Sequence, residues 1–83
     1  MKVRIRYFAS VREALSSSGE TVDTQAGTLA ALRDELIARG GAYASALARG
    51  RAVRMALDQA MSDEAAALSD DCEVAFFPPV TGG

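Results

Sequence analysis

The sequence predicts an α+β fold, a sheet covered by one main helix. Three observations predict it. Residues Lys2 to Phe8 alternate between an apolar and a charged face, with Phe8 the odd member on the charged one, the period of a half-buried strand. Leu29, Leu32 and Leu36 recur at helical spacing, with Arg33, Asp34, Glu35 and Arg39 largely off that stripe. A second apolar run, Glu73 to Phe77, stops at Pro78-Pro79, which lack two backbone donors and so end strand pairing.

The elements follow in order. In the first strand Val3, Ile5 and Tyr7 share one face, and Lys2, Arg4, Arg6 and Phe8 share the other. Ser10 to Leu15 reads as a short helix, with Ser10 as N-cap and Glu13 three residues on, the capping-box spacing. The run Ser16-Ser17-Ser18-Gly19 is a turn, and Glu20 to Thr24 is a short strand with Val22 inward. Thr28 caps the main helix and Gly40-Gly41 stops it, as glycine does past a helix C-terminus. The leucine stripe is core, because a small sheet needs a helix to cover it. Tyr43 to Ala48 adds a turn or two of helix. Val53, Met55 and Leu57 alternate with Arg54, Ala56 and Asp58 in a third strand, and Gln59 to Met61 continues it or begins another. Ser62 to Asp71 is read as a loop with a short helical turn around Leu68. In the last strand Val74 and Phe76 face one way, Ala75 and Phe77 the other. The first and last strands are apolar enough to lie centrally, side by side.

At 83 residues the chain accommodates one small domain, 1–83, with no linker, repeat or low-complexity tract. The net charge of −2, with both signs interspersed, argues against nucleic acid, which calls for a strongly basic face. No run of about 18 apolar residues offers a membrane span, and the start of the chain lacks the apolar stretch of a signal peptide. One cysteine, Cys72, cannot form an internal disulfide. These features predict a cytoplasmic protein with no membrane partner. With no histidine and one cysteine, neither a zinc site of the usual Cys/His kind nor a Ser-His or Cys-His nucleophile pair can be built. The chain is therefore not expected to be an enzyme by itself, nor to hold a metal or cofactor.

The chain ends in Gly82-Gly83 after Phe76-Phe77-Pro78-Pro79-Val80-Thr81. Glycine has no Cβ, so such an end enters a channel too narrow for other residues. Its carboxylate also has no branched neighbour to block attack. The residues 78–83 are expected to form a flexible tail whose reactive group is the terminal carboxylate. If the first and last strands are neighbours, Phe8 and Phe77 lie together on the sheet face opposite the helix, an apolar patch of the kind that marks a partner site.

The block Val3 to Glu13 resembles the start of the small subunit of molybdopterin synthase, the MoaD family. The block Glu73-Val74-Ala75-Phe76-Phe77-Pro78-Pro79-Val80-Thr81-Gly82-Gly83 resembles its end more closely. The resemblance covers essentially the whole chain. Gly-Gly alone is a weak signal, shared with ubiquitin and many relatives; the longer run is a strong one. The resemblance implies a ubiquitin-like β-grasp, a mixed sheet wrapped over one helix. It implies a non-catalytic sulfur carrier in molybdenum cofactor biosynthesis. On that reading Gly83 is adenylated by a MoeB-like partner that uses ATP, becomes a thiocarboxylate, and donates sulfur to cyclic pyranopterin monophosphate. Val80, Thr81 and Gly82 fill a channel of a MoaE-like large subunit, with Phe8, Phe77, Pro78 and Pro79 docking against it, in a heterotetramer.

The chain departs from the family pattern in two places. Asp71-Cys72 stands where Gly-Asp is common, and Asp58-Gln59 where Asn-Gln is common. Both lie away from the tail and bear on turn geometry. Cys72 is read as a small apolar filler and not a sulfur relay. Two other readings share the Gly-Gly end: a ubiquitin-like modifier joined through Gly83 to lysines of target proteins, and a sulfur carrier for another pathway such as thiamine synthesis.

Overall fold

The computed structural model describes residues 1–79. In chain order the elements are β1 (Lys2–Tyr7), α1 (Ala9–Leu15), β2 (Gly19–Asp23), α2 (Leu29–Ile37), α3 (Gly41–Ala46), β3 (Arg54–Leu57), β4 (Ala60–Ser62) and β5 (Cys72–Phe77). The five strands form one sheet in the order β2-β1-β5-β3-β4. The first and last strands are neighbours, as their apolar character predicts, and they run parallel, with Val3 opposite Cys72 and Tyr7 opposite Phe76. The other pairs are antiparallel, so the sheet is mixed. No helix among the described residues is long and apolar enough to cross a membrane.

The alternation in β1 and β5 is realised as read. Val3, Ile5 and Tyr7 are buried beside Cys72, Val74 and Phe76, while Lys2, Arg4 and Arg6 are exposed. The Tyr7 and Phe76 rings stack with centroids 6.2 Å apart. Helix α2 covers this face with Leu29, Leu32 and Leu36, each at most 1% exposed. Burying one such side chain is worth about 1.5–3 kcal/mol, so the stripe is the main reason the helix docks. Thr28 caps it as expected, its Oγ1 accepting from the Ala31 amide at 3.2 Å. Cys72 is buried in the core, consistent with a filler.

Four local readings need correction. Helix α1 begins at Ala9 with Phe8 as N-cap and no side-chain cap, so the Ser10 capping box does not form. The chain enters α1 through a left-handed Ala9, φ 52°, which places Ser10 inside the helix and out of capping position. The segment after β4 has no helical turn at Leu68. Its carbonyls are taken by α2: Leu29 N–H donates to Ala66 O at 3.1 Å and Ala30 N–H to Glu64 O at 2.9 Å. The otherwise orphaned amides of the helix start thus hold the loop extended. Gly40 and Gly41, at φ 77° and 55°, do not close α2 directly, since it ends at Ile37 with Ala38 as C-cap; they turn the chain into α3.

The last correction concerns Arg33. It lies off the leucine stripe in sequence yet is only 4% exposed. Its Nε donates to Leu47 O at 2.8 Å, and its Nη2 to Ala48 O at 2.8 Å and Arg51 O at 3.3 Å. Its Nη1 pairs with Glu64 at 2.9 Å. One planar guanidinium therefore ties α2 to the 47–51 loop and to the segment after β4, an arrangement its fork of donors suits and an ammonium does not.

The two departures from the family pattern are turns with positive φ. Asp58 and Gln59, at 49° and 69°, make the β3–β4 hairpin turn, whose both-positive geometry is that of type I′. Asp58 also accepts from the Glu73 amide at 2.9 Å. Asp71 sits at φ 63°, where aspartate is better tolerated than most residues.

Candidate functional site

Strand β5 carries the chain to its end through the middle of the sheet, between β1 and β3. A strand paired on both sides cannot shift its register cheaply, so the point at which the chain leaves the sheet, after Phe77, is rigidly set. Phe8 N–H donates to Phe76 O at 3.1 Å, which extends the β1–β5 ladder to that point. Pro78 then borders a small cleft with Val11 and Ala14 of α1, Ala46 of α3, and Arg51 to Val53. One of the lining residues, Arg51, is tied to α2 through its carbonyl, which accepts from Arg33 Nη2 at 3.3 Å.

The face away from α2 carries Lys2, Arg4 and Arg6 of β1, Glu73, Ala75 and Phe77 of β5, and Arg54 and Ala56 of β3, as the register requires. Phe77 is half-buried on this face, opposite Arg54. Phe8 is 40% exposed, and the Arg6 guanidinium lies 5.4 Å from the centre of its ring. Phe8 and Phe77 thus belong to the open side of the sheet, as read from the alternation. Pro78 and Pro79 are half-buried and follow directly. Val80, Thr81, Gly82 and Gly83 lie outside the described residues. Met61 of β4 is 63% exposed at the far side of this face, an apolar contribution that sequence reading missed. Its register opposite Ala56 in β3 puts it there, and that pairing is not visible in the spacing alone.

A second polar group sits under the end of β1. Glu20 Oε2 accepts from the Tyr7 hydroxyl at 2.9 Å and from the Tyr43 hydroxyl at 2.7 Å, while Arg39 pairs with Oε1 at 2.8 Å. Burial by itself would raise the Glu20 pKa, but hydrogen bonds from Arg39, Tyr43 and Tyr7 outweigh it and hold the carboxyl below the ordinary glutamate value. Burial, and then the Glu20 carboxylate, push the Tyr7 phenol well up. This cluster fastens β1, β2 and the ends of α2 and α3 together. Each of these hydrogen bonds joins one element of the fold to another. Among the described residues no group of three or more Cys, Asp or Glu side chains could hold a metal ion.

A mixed sheet covered on one face by α2, with a central C-terminal strand, makes this chain a ubiquitin-like β-grasp protein. It belongs to the ThiS family, whose model matches residues 5–83. The molybdopterin synthase sulfur carrier subunit of Escherichia coli is 37% identical over 81 residues, 98% of this chain and 99% of its own. Among solved structures, SAMP1 of Haloferax volcanii superposes with a TM-score of 0.79 at 22% identity, over all of both chains. The complex of subunits 1 and 2 of the molybdopterin-converting factor of Helicobacter pylori contains a chain that matches with a TM-score of 0.70 at 24% identity, again over all of both. These two likenesses are of fold.

Proposed function

We propose that this protein is the sulfur carrier subunit of a molybdopterin synthase, and that Gly83 is its working group. The observation that carries the reading is the route of the chain. The central strand β5 ends at Phe77, on an open face that also bears Phe8, and in the sequence the Gly-Gly end follows Pro78-Pro79-Val80-Thr81. Full-length identity to a relative named as such a carrier supports it.

The chemistry asks for what this chain supplies. A carboxylate is a poor electrophile, because its negative charge repels a nucleophile. Adenylation of Gly83 by an ATP-using, MoeB-like partner cancels that charge and provides AMP as leaving group. Sulfur then displaces AMP to give a thiocarboxylate, a soft nucleophile as thiolates are. Val80, Thr81 and Gly82 occupy a channel in a MoaE-like large subunit, where the sulfur passes to the pterin precursor. Phe8, Phe77, Pro78 and Pro79 form the docking rim, and two carriers with two large subunits make a heterotetramer. The acceptor-binding and proton-handling groups come from the partners, so the carrier is non-catalytic, holds no cofactor of its own and works in the cytoplasm.

The test is an intact mass of the chain produced with its activating enzyme and a sulfur source. The expected result is one oxygen replaced by one sulfur, confined to Gly83. Ladders linked to target lysines would instead establish the protein-modifier reading. A variant lacking Gly83 that still supports molybdenum enzymes would exclude the carrier.

A further inference from the structure

Of the nine basic residues in the chain, eight are arginine and one, Lys2, is lysine. For Arg33, Arg39 and Arg49 the preference has a structural cause. Each guanidinium serves a carboxylate, and Arg33 and Arg49 bind carbonyl oxygens as well. Among the described residues the Arg51 side chain has no such partner, and it is the carbonyl of Arg51 that meets Arg33. Arg51 and Arg54 are both exposed and stand where the chain leaves the sheet: Arg54 is the cross-strand partner of Phe77, and Arg51 borders the cleft with Pro78.

Lys2 lies at the other end of the molecule. Strands β1 and β5 are parallel with Val3 opposite Cys72, and the Asp71 amide donates to Lys2 O at 2.7 Å. Lys2 is therefore level with Asp71, roughly 20 Å along the sheet from Phe77 at about 3.3 Å per residue. Four residues follow Pro79, and covalent geometry limits them to about 14 Å. The one lysine thus stands at the opposite end of the sheet, whereas positions 51 and 54 adjoin the point of departure.

We propose that Arg51 and Arg54 form an amine-free collar: a lysine at either place would capture the activated carbonyl of Gly83. This inference rests on the reading that Gly83 is activated. The capture step is ordinary aminolysis. The lysine Nζ lone pair attacks the Gly83 carbonyl carbon, a C–N bond forms, and the C–O bond to AMP breaks. AMP leaves with the electron pair, and the ammonium proton passes to solvent. The product is a chain closed on itself, permanently lost as a carrier. A guanidinium keeps the positive charge without offering a nucleophile, because it stays protonated. Tethering makes the difference matter, since attack within one chain, across a few residues, proceeds at an effective concentration on the order of mM.

The experiment needs no activating enzyme. The full chain is made as a C-terminal intein fusion and released with a small thiol, which leaves Gly83 as a thioester. Wild type, R51K and R54K are held at mildly alkaline pH and low protein concentration, and intact mass is followed. The wild type is expected to hydrolyse to its free acid. At least one lysine variant is expected to give a several-fold larger share of a species one water lighter than the acid. That species must survive hydroxylamine, which separates an amide from a thioester to Cys72. Circular dichroism establishes that the variants are folded, as the exposure of both positions predicts. If folded R51K and R54K both close no more than wild type, or if wild type closes equally, the collar does not exist. Activation of Gly83 in the cell is read separately by the oxygen-to-sulfur mass change, so the two ideas fail independently.

Discussion

The Tyr7 hydroxyl donates to Oε2 of Glu20 at 2.9 Å, joining a core residue of β1 to an edge residue of β2 across the sheet. The alternation in β1 puts Tyr7 inside, where its ring stacks on Phe76 and its hydroxyl needs an acceptor. Glu20, also reached by Tyr43 and Arg39, is that acceptor. Because the folded pKa of Glu20 lies below its ordinary value, the stability it contributes is present above that ordinary value and lost as pH falls through the folded one. Glu20→Gln should therefore cost about 1–2 kcal/mol near neutral pH. The gap from wild type should narrow as pH falls below the ordinary glutamate range. Urea unfolding from pH 7 to pH 3 checks this, and a gap independent of pH would remove the carboxylate from the explanation.

Arg33 should be the most sensitive charged residue. Removing it takes the guanidinium donor from the carbonyl of Leu47, leaves that of Ala48 with the Arg51 amide, and deprives Glu64 of one of its two arginines. Arg33→Gln should cost about 2–4 kcal/mol, the range for breaking one side of a buried pair with its hydrogen bonds. Arg33→Lys should recover only part of this, since one nitrogen cannot reach acceptors spread over the 47–51 loop and Glu64. Equal stability of the lysine variant and the wild type would contradict the fork geometry.

Phe77 and Phe8 test the open face. Phe77→Ala should weaken binding to the large synthase subunit by about 1–3 kcal/mol, as for a buried aromatic anchor. Phe8→Ala should leave thermal stability close to wild type, because the ring is 40% exposed, lies outside the core cluster and has the Arg6 guanidinium over it. Calorimetric titration of each variant measures the first effect and a melting curve the second. Unchanged affinity for Phe77→Ala would place that ring in this domain's own packing.

The hairpin turn offers a stabilising change. Gln59 holds φ 69°, a region costly for residues with a Cβ and free for glycine. Gln59→Gly should raise stability by up to about 1 kcal/mol, as Asp-Gly suits a type I′ turn. Gly19→Ala should do the reverse, because an added Cβ would lie 2.5 Å from the Ile5 carbonyl oxygen. Paired denaturation curves of the two variants measure both signs.

Much of this molecule is legible in the order of its residues. The period-2 runs at Lys2 to Phe8 and Glu73 to Phe77, and the leucines 29, 32 and 36, gave the faces of β1, β5 and α2 correctly. Side-chain direction along a single element follows from local backbone geometry, so local spacing reveals it. Phe8 and Phe77 were placed on the open face by the same logic. Arg33 was misread for the converse reason. It lies off the apolar stripe, and its acceptors come from the 47–51 loop and the segment after β4, which no spacing within α2 encodes. The start of α1 was misread because a left-handed Ala9 moves Ser10 out of capping position, a backbone choice that alanine does not advertise.

By itself the sequence determined most of the elements, the inward faces of β1, β5 and α2, and the lack of histidine that rules out a Cys/His metal or nucleophile set. The tertiary structure decided which elements meet. Pairing β1 with β5 in parallel put the departing chain at the centre of the sheet and Lys2 at the opposite end. Docking of the loops onto α2 buried Arg33, and pairing of β2 with β1 gave Tyr7 its acceptor. These are contacts between residues far apart in the chain. Their free energy depends on the closure of the whole sheet, and no short stretch of sequence carries it.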